Sequence, residues 1–254
     1  MTRFICISSG KGGVGKTTLV SNLSAVLSKM GKSVTVIDAN VTTPNLGIHL
    51  GVPLYPKTLQ DVLKGNARLY EAVYEHPLGM KVIPSGISIE DLKNLNSEKL
   101  KKVVDILSGT SDIVIIDSAA GLGREALSSI EASDDLIVVT NPELPAAIDA
   151  LKTIKIAEEA GTNVLGVVVN RVSGKKHELT NEQLQSILDN VPILAVIPED
   201  DNVKDSISKM VPVVYNKPTS PSSQSIHKLA GLITGEKVEI PKTWYQKYFG
   251  GLFQ

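Results

Sequence analysis

The chain has a single cysteine, Cys6, and Phe, Trp and Tyr together make up only 4% of its 254 residues. A lone thiol excludes any disulfide within the chain. It also excludes an iron–sulfur cluster that needs paired cysteine ligands. Cys6 sits in an apolar run and is expected to be a small core residue. With so few aromatics, the core has to be built from Val, Ile, Leu and Ala, as in a parallel sheet covered on both faces. Charge of one sign is lacking as well: 26 basic against 27 acidic residues give a net charge of −1. No global field therefore draws the protein toward nucleic acid or an anionic membrane. No apolar run approaches the ~20 residues of a membrane span. The N-terminus enters a strand at once, without the regions of a signal peptide, so a cytoplasmic location is expected.

Apolar runs of strand length alternate with helical patterns. Strands are expected over 4–9, 33–37, 80–84, 112–117, 135–140, 164–169 and 193–197. Helices are expected near 16–30, 97–108, 122–132, 145–160, 180–190, 201–209 and 221–233. Runs such as Ile113-Val114-Ile115-Ile116 are continuous rather than alternating, which marks strands buried on both faces. Repeated strand–helix–strand order predicts an α/β fold: a doubly wound, mainly parallel sheet of about seven or eight strands with helices on both faces. Ligands of such sheets bind at the carboxyl ends of the strands. At this length one α/β domain is expected over 1–235, followed by a tail over 236–254.

Gly10-Lys11-Gly12-Gly13-Val14-Gly15-Lys16-Thr17 follows the first strand and opens a helix. It satisfies G-x-x-x-x-G-K-[ST], a phosphate-binding loop. Backbone N–H groups across Gly12, Gly13, Val14 and Gly15 would face a nucleotide's phosphates, and the helix N-terminus adds a favourable dipole. Lys16 is the expected contact to the β- and γ-phosphates, and the Thr17 hydroxyl the expected magnesium ligand. Lys11 is a second lysine where the loop needs one.

Two strand-ending carboxylates fit the same site. Ile113-Val114-Ile115-Ile116-Asp117 is a Walker B pattern, whose aspartate would hold magnesium. Gly121 follows four residues later, so Asp117-Ser118-Ala119-Ala120-Gly121 reads as a hinge responding to the γ-phosphate. Asp38 ends the second strand and begins a polar, turn-rich segment through Asn40 and Pro44 to Gly47, which would fold over the γ-phosphate and release after hydrolysis. A strand-terminal Asp can also cap the next helix, and Pro44-Asn45 can be an ordinary turn.

Together, the Lys11–Thr18 loop, the Asp38–Gly47 segment and Asp117-Ser-Ala-Ala-Gly resemble the deviant Walker A P-loop ATPases of the MinD/ParA group, most closely the archaeal MinD-like ones. The resemblance covers about 1–235. It implies ATP/ADP and Mg2+ as ligands and a homodimer in the ATP state. Lys11 becomes a signature lysine reaching the partner's nucleotide. Lys16, Thr17 and Thr18 go to phosphate and magnesium, with Asp38 and Asp117 around the metal. Asn170 and Arg171, with Pro198, Glu199 and Asp200, are similar to adenine-binding elements. An amide such as Asn170 offers the donor and acceptor that adenine requires. One departure stands out: many bacterial relatives carry an aspartate, assigned to the attacking water, where this chain has Asn40. An amide can orient water but cannot accept its proton, so slow hydrolysis is expected.

The tail concentrates what the rest lacks. Its last fourteen residues hold the only tryptophan, Trp244, with Tyr245, Tyr248, Phe249, Leu252 and Phe253 on one helical face and Lys242 and Lys247 toward the other. Gly250-Gly251 weakens such a helix. These aromatics fit either a membrane interface or the domain's own surface. The resemblance implies an anionic membrane surface, reached reversibly from the cytoplasmic side, and a slow ATP switch that positions an unidentified protein effector in cell division or a related task. The competing reading is a DNA-partitioning ATPase of the ParA kind. It needs a basic stripe and salt-dependent DNA affinity. Only Arg171, Lys175-Lys176 and scattered lysines offer that, so nucleic acid is not an expected partner.

Overall fold

The computed structural model describes residues 1–52, 54–86 and 97–241; the tail aromatics fall outside the described residues. Eight strands form one sheet: β1 (Arg3–Ser9), β2 (Val34–Asp38), β3 (Tyr74–Glu75), β4 (Lys81–Ile83), β5 (Ile113–Ala120), β6 (Asp135–Thr140), β7 (Asn163–Val172) and β8 (Ile193–Pro198). Their order across the sheet is β3-β4-β2-β5-β1-β6-β7-β8. Every pairing is parallel except the short β3–β4 ladder at the edge. β1 therefore separates β2–β5 from β6–β8, and its carboxyl end lies at the topological switch point.

Side-chain alternation in β1 explains why both faces are covered. Ile5 and Ile7 join a core with Leu23, Val26 and Leu229, under α1 (Lys16–Lys29) and α10 (Pro221–Thr234). Phe4 joins Ile37, Leu100 and Val104 beneath α4 (Ser97–Leu107). Cys6, fully buried as expected, packs with Ile130, Ile154 and Leu184 of α5 (Arg124–Glu131), α6 (Leu144–Ala160) and α7 (Asn181–Ile187). The doubly wound sheet with a Val/Ile/Leu/Ala core is the expected architecture.

Several elements differ from the sequence pattern. Short helices α2 (Leu46–His49), α3 (Leu59–Lys64) and α9 (Val213–Asn216) stand where no helix is expected, as does a 3-10 turn at Leu69–Ala72. The sequence also gives no sign of β3. α8 (Asp201–Ser208) matches its expected range within a residue. β5 continues to Ala120, so the segment expected to be a hinge after Asp117 is strand as far as Ala120, and the Gly121 N–H donates to the Ser9 carbonyl at 2.8 Å. β7 likewise runs past Asn170 to Val172, with Arg171 at φ 60°. Among the described residues, no helix is long and apolar enough to cross a membrane.

Candidate nucleotide site

Close packing fixes the loop between β1 and α1. A Cβ on Gly10 would lie 2.2 Å from the Asp149 carbonyl oxygen in α6, so no larger residue fits. Gly15 has φ 94°, and a Cβ there would lie 2.2 Å from Asn170 Nδ2. Left-handed backbone and direct contact with β7 both demand glycine. The loop thus seats on two neighbours before any ligand arrives, with Gly12 and Gly13 exposed and Val14 buried. Thr17 and Thr18 lie half-buried in the first turn of α1.

Beneath the loop, Lys16 is 6% exposed, and its Nζ lies 3.1 Å from Asp117 Oδ1. Asp117 Oδ2 is buried and has no hydrogen-bond partner among the described residues. A buried carboxylate oxygen left without a donor is costly, and a hard divalent cation is the kind of group that would satisfy it. Asp38 is Asp117's neighbour across the β2–β5 ladder. Burial first, and then the charge of Asp117, push its pKa up to about 8, against hydrogen bonds from Asn40 and Leu46 and the nearby Lys16. Both Asp38 oxygens receive backbone donors: Oδ1 from Asn40 N–H at 3.1 Å and Oδ2 from Leu46 N–H at 3.3 Å. Asp38 therefore shapes the following segment, while Asp117 alone presents an oxygen with no donor. The residues present fit a magnesium–phosphate group.

Asn40 is placed differently from what a water-orienting role requires. Its Nδ2 donates to the Thr43 carbonyl at 2.8 Å, and its Oδ1 accepts from Thr43 N–H at 3.2 Å. Both ends of the amide hold the turn, so orienting a water would require that turn to open. The neighbouring Thr42 hydroxyl donates to the Glu125 carboxylate at 2.9 Å, pinning the segment to α5. Lys11 stands apart from this buried group. Its Nζ lies 3.7 Å from Oε2 of Glu143, the N-cap of α6, and the two side chains are 50% and 53% exposed. An exposed pair of this kind holds a side chain only weakly.

Next to Gly15 and Thr18, an open cleft is lined by Asn170, Arg171, Pro198, Glu199 and Asp200. The structure thus brings the expected base-site residues together at one end of the loop. Asn170 Nδ2 donates to the Val14 carbonyl at 2.7 Å, which leaves Oδ1 as an acceptor and the second Nδ2 hydrogen as a donor. Arg171 lies 3.6 Å from Glu199 and donates to the Gly13 carbonyl at 3.3 Å. Asp200 caps α8 through Asn202 N–H at 3.0 Å and receives the Ser222 hydroxyl of α10 at 2.6 Å. Burial pulls its carboxyl up, but the Ser222 and Asn202 hydrogen bonds outweigh this and hold it below the ordinary range. Asp200 is a scaffold of the cleft. Sequence reasoning missed Val203, Ile207 and Ile226 on the cleft wall. The i, i+4 spacing of Val203 and Ile207 after Pro198 was the available signal.

A family model described as the CobQ/CobB/MinD/ParA nucleotide binding domain matches residues 5–213. An uncharacterised ATP-binding protein of Methanocaldococcus jannaschii is 41% identical, with 98% of this chain and 96% of that protein covered. Among solved structures, the septum site-determining protein MinD of Pyrococcus horikoshii, complexed with Mg-ADP, is similar at 38% identity and a TM-score of 0.87. That match covers 92% of this chain and 96% of that one. MinD in the MinC:MinD cell division complex of Aquifex aeolicus is similar at 30% identity and a TM-score of 0.84, covering 94% and 98%.

Proposed function

Because this chain belongs to the CobQ/CobB/MinD/ParA nucleotide-binding family and resembles its archaeal MinD-like members, we propose that it is a slow ATPase that switches between monomer and dimer to position a partner assembly. The observation that carries the reading is the buried Lys16–Asp117 pair under the glycine loop, with a donorless Asp117 oxygen inside and the exposed Lys11 outside. Separating buried partners is costly unless each finds a new one. Lys16 would hold the β- and γ-phosphates, and Asp117 with the Thr17 hydroxyl would hold a magnesium ion. Magnesium, when bound, neutralises charge on the phosphate oxygens. The backbone of Gly12, Gly13, Val14 and Gly15 cradles the phosphates with Thr18.

Asn170 keeps its Oδ1 acceptor and a second Nδ2 hydrogen as donor, the pair that the base edge of adenine requires. Arg171, Pro198 and Glu199 wall the base, and Asp200 fixes the helix beside it. Lys11, loosely held at Glu143, leaves that pair to reach the γ-phosphate bound by a second copy. Asp38 and Asn40 tie the loop that senses the γ-phosphate. With an amide at position 40, which cannot take a proton from the attacking water, turnover depends on positioning and is slow.

Two ATP-bound copies then carry two tails, which turns a marginal single anchor into firm attachment to anionic membrane through effective concentration. The septum site-determining relative and the MinC:MinD complex support engagement of a protein effector, and the protein would be cytoplasmic and visit the inner membrane face. Molecular mass in ADP and in ATP, measured beside ATP turnover with and without anionic liposomes, tests the proposal. The expected result is dimer mass only with ATP and slow turnover of ATP but not GTP. A mass unchanged by ATP would remove the switch.

A further inference from the structure

Two elements flank Lys11. On one side, the Gly121 N–H donates to the Ser9 carbonyl at 2.8 Å, and a Cβ on Gly12 would lie 3.9 Å from that of Ala120. The segment after β5 therefore runs beside the phosphate loop. On the other side, α6 opens at its N-cap Glu143, whose Oε2 lies 3.7 Å from Lys11 Nζ. Leu122 on the first flank and Leu144 and Ile148 on the second are exposed. Leu144 and Ile148 stand one turn apart on α6, while Ala147, Ala150 and Ile154 bury a different side of the helix against the sheet. A helix that is apolar on two sides is built for two neighbours.

Arg124 belongs to the same rim. It is the first residue of α5, directly after the N-cap Gly123, and it is exposed. No ion pair or hydrogen bond engages its guanidinium among the described residues. A cation at a helix N-terminus opposes the helix dipole, so the stability of α5 does not account for it. Glu143 likewise caps nothing with its side chain. Its ion-pair partner is Lys11, the residue that has to leave when a second copy binds ATP.

The consequence follows from where Lys11 goes. To serve a second copy's phosphates it must arrive beside that copy's Gly12, which is also where Ala120 and the segment leading to Arg124 lie. Glu143 travels with it and loses its cation on the way. A carboxylate brought bare toward bound phosphates would be repelled, and Arg124 is the free cation at that place. We propose that Arg124 of each copy pairs with Glu143 of the other in the ATP-bound dimer, with Leu122, Leu144 and Ile148 packed around the two pairs. A two-fold axis repeats the contact, as a self-complementary face requires. The contact rests on the ATP-driven dimer proposed above and names the charges and apolar residues that would hold it.

Charge reversal tests it on the full chain, with mass by light scattering in Mg-ATP. Both side chains are exposed, so Arg124→Glu and Glu143→Arg should fold and bind ATP as the wild type does, which circular dichroism and nucleotide titration check. Each variant alone brings like charges together twice and should weaken the dimer at least about a hundredfold. An equimolar mixture restores both opposite-charge pairs in a mixed dimer, and its mass should double with ATP. The double variant should dimerise as well. A mixture that gains nothing over either variant alone would overturn the pairing between copies. Variants that each dimerise as tightly as the wild type would also overturn it and leave this face to a different protein. A wild type that stays monomeric in ATP would overturn the switch itself, and this contact with it.

Discussion

Asp117 meets two demands with one carboxylate: Oδ1 pairs with Lys16 at 3.1 Å, and Oδ2 waits without a partner. Asp38, beside it across the ladder, has its pKa raised by burial first and by the charge of Asp117 second. The sign follows from proton counts. Between the ordinary value of 3.8 and the folded value of about 8, the folded protein holds a proton that the unfolded chain has lost. Stability of the ligand-free protein therefore falls as pH rises through that window. Asp38→Asn should flatten the fall in Tm with pH, and Mg-ADP should do so in the wild type. Equal slopes for wild type and variant would show that Asp38 does not carry the effect. Lys16, Thr17 and Asp117 were legible because their roles depend on residue type at fixed spacing. The engagement of Asn40 by Thr43 was not, since it depends on the backbone turn between them.

At the level of elements, the loop is set by its neighbours as much as by its own glycines. Gly10 abuts the backbone of α6 at a contact that cannot shift, whereas a Cβ on Gly12 would meet nothing closer than Ala120 at 3.9 Å. Gly10→Ala should cost about 1–3 kcal/mol and weaken nucleotide binding. Gly12→Ala should be close to neutral in stability. Equal midpoints in urea denaturation of the two variants would contradict the packing. Continuous apolar strands and long periodic helices could be read directly from sequence. The helices of four to six residues and the two-residue β3 could not, because tertiary contacts decide them. α3 left one trace: Thr58 and Asp61 form a capping box, a spacing present in the sequence. α9 left none, for its start is fixed by Asn22 of α1, whose Oδ1 accepts from Val214 N–H at 3.1 Å.

For the molecule as a whole, the order of strands about β1 brings the loop, both carboxylates and the base cleft to one edge, while the chain's last described residue, Pro241, is tied back to α10. Truncation after Ile240 should abolish ATP-dependent sedimentation with anionic liposomes, reducing it to the ADP level, and leave ATP binding intact. Sedimentation unchanged by truncation would move the membrane contact elsewhere. Fold and phosphate site were legible because motif and strand order reinforce each other. The tail's destination was not, because an amphipathic aromatic segment suits a lipid surface and a protein cleft equally. Lys11 carries the central claim, since its loose pair with Glu143 leaves it free to serve a neighbouring copy. The most direct measurement is the solution mass of Lys11→Ala in ATP, taken beside its ATP affinity. Wild-type affinity with monomer mass and no turnover is the predicted result. A variant that still doubles its mass with ATP would contradict it.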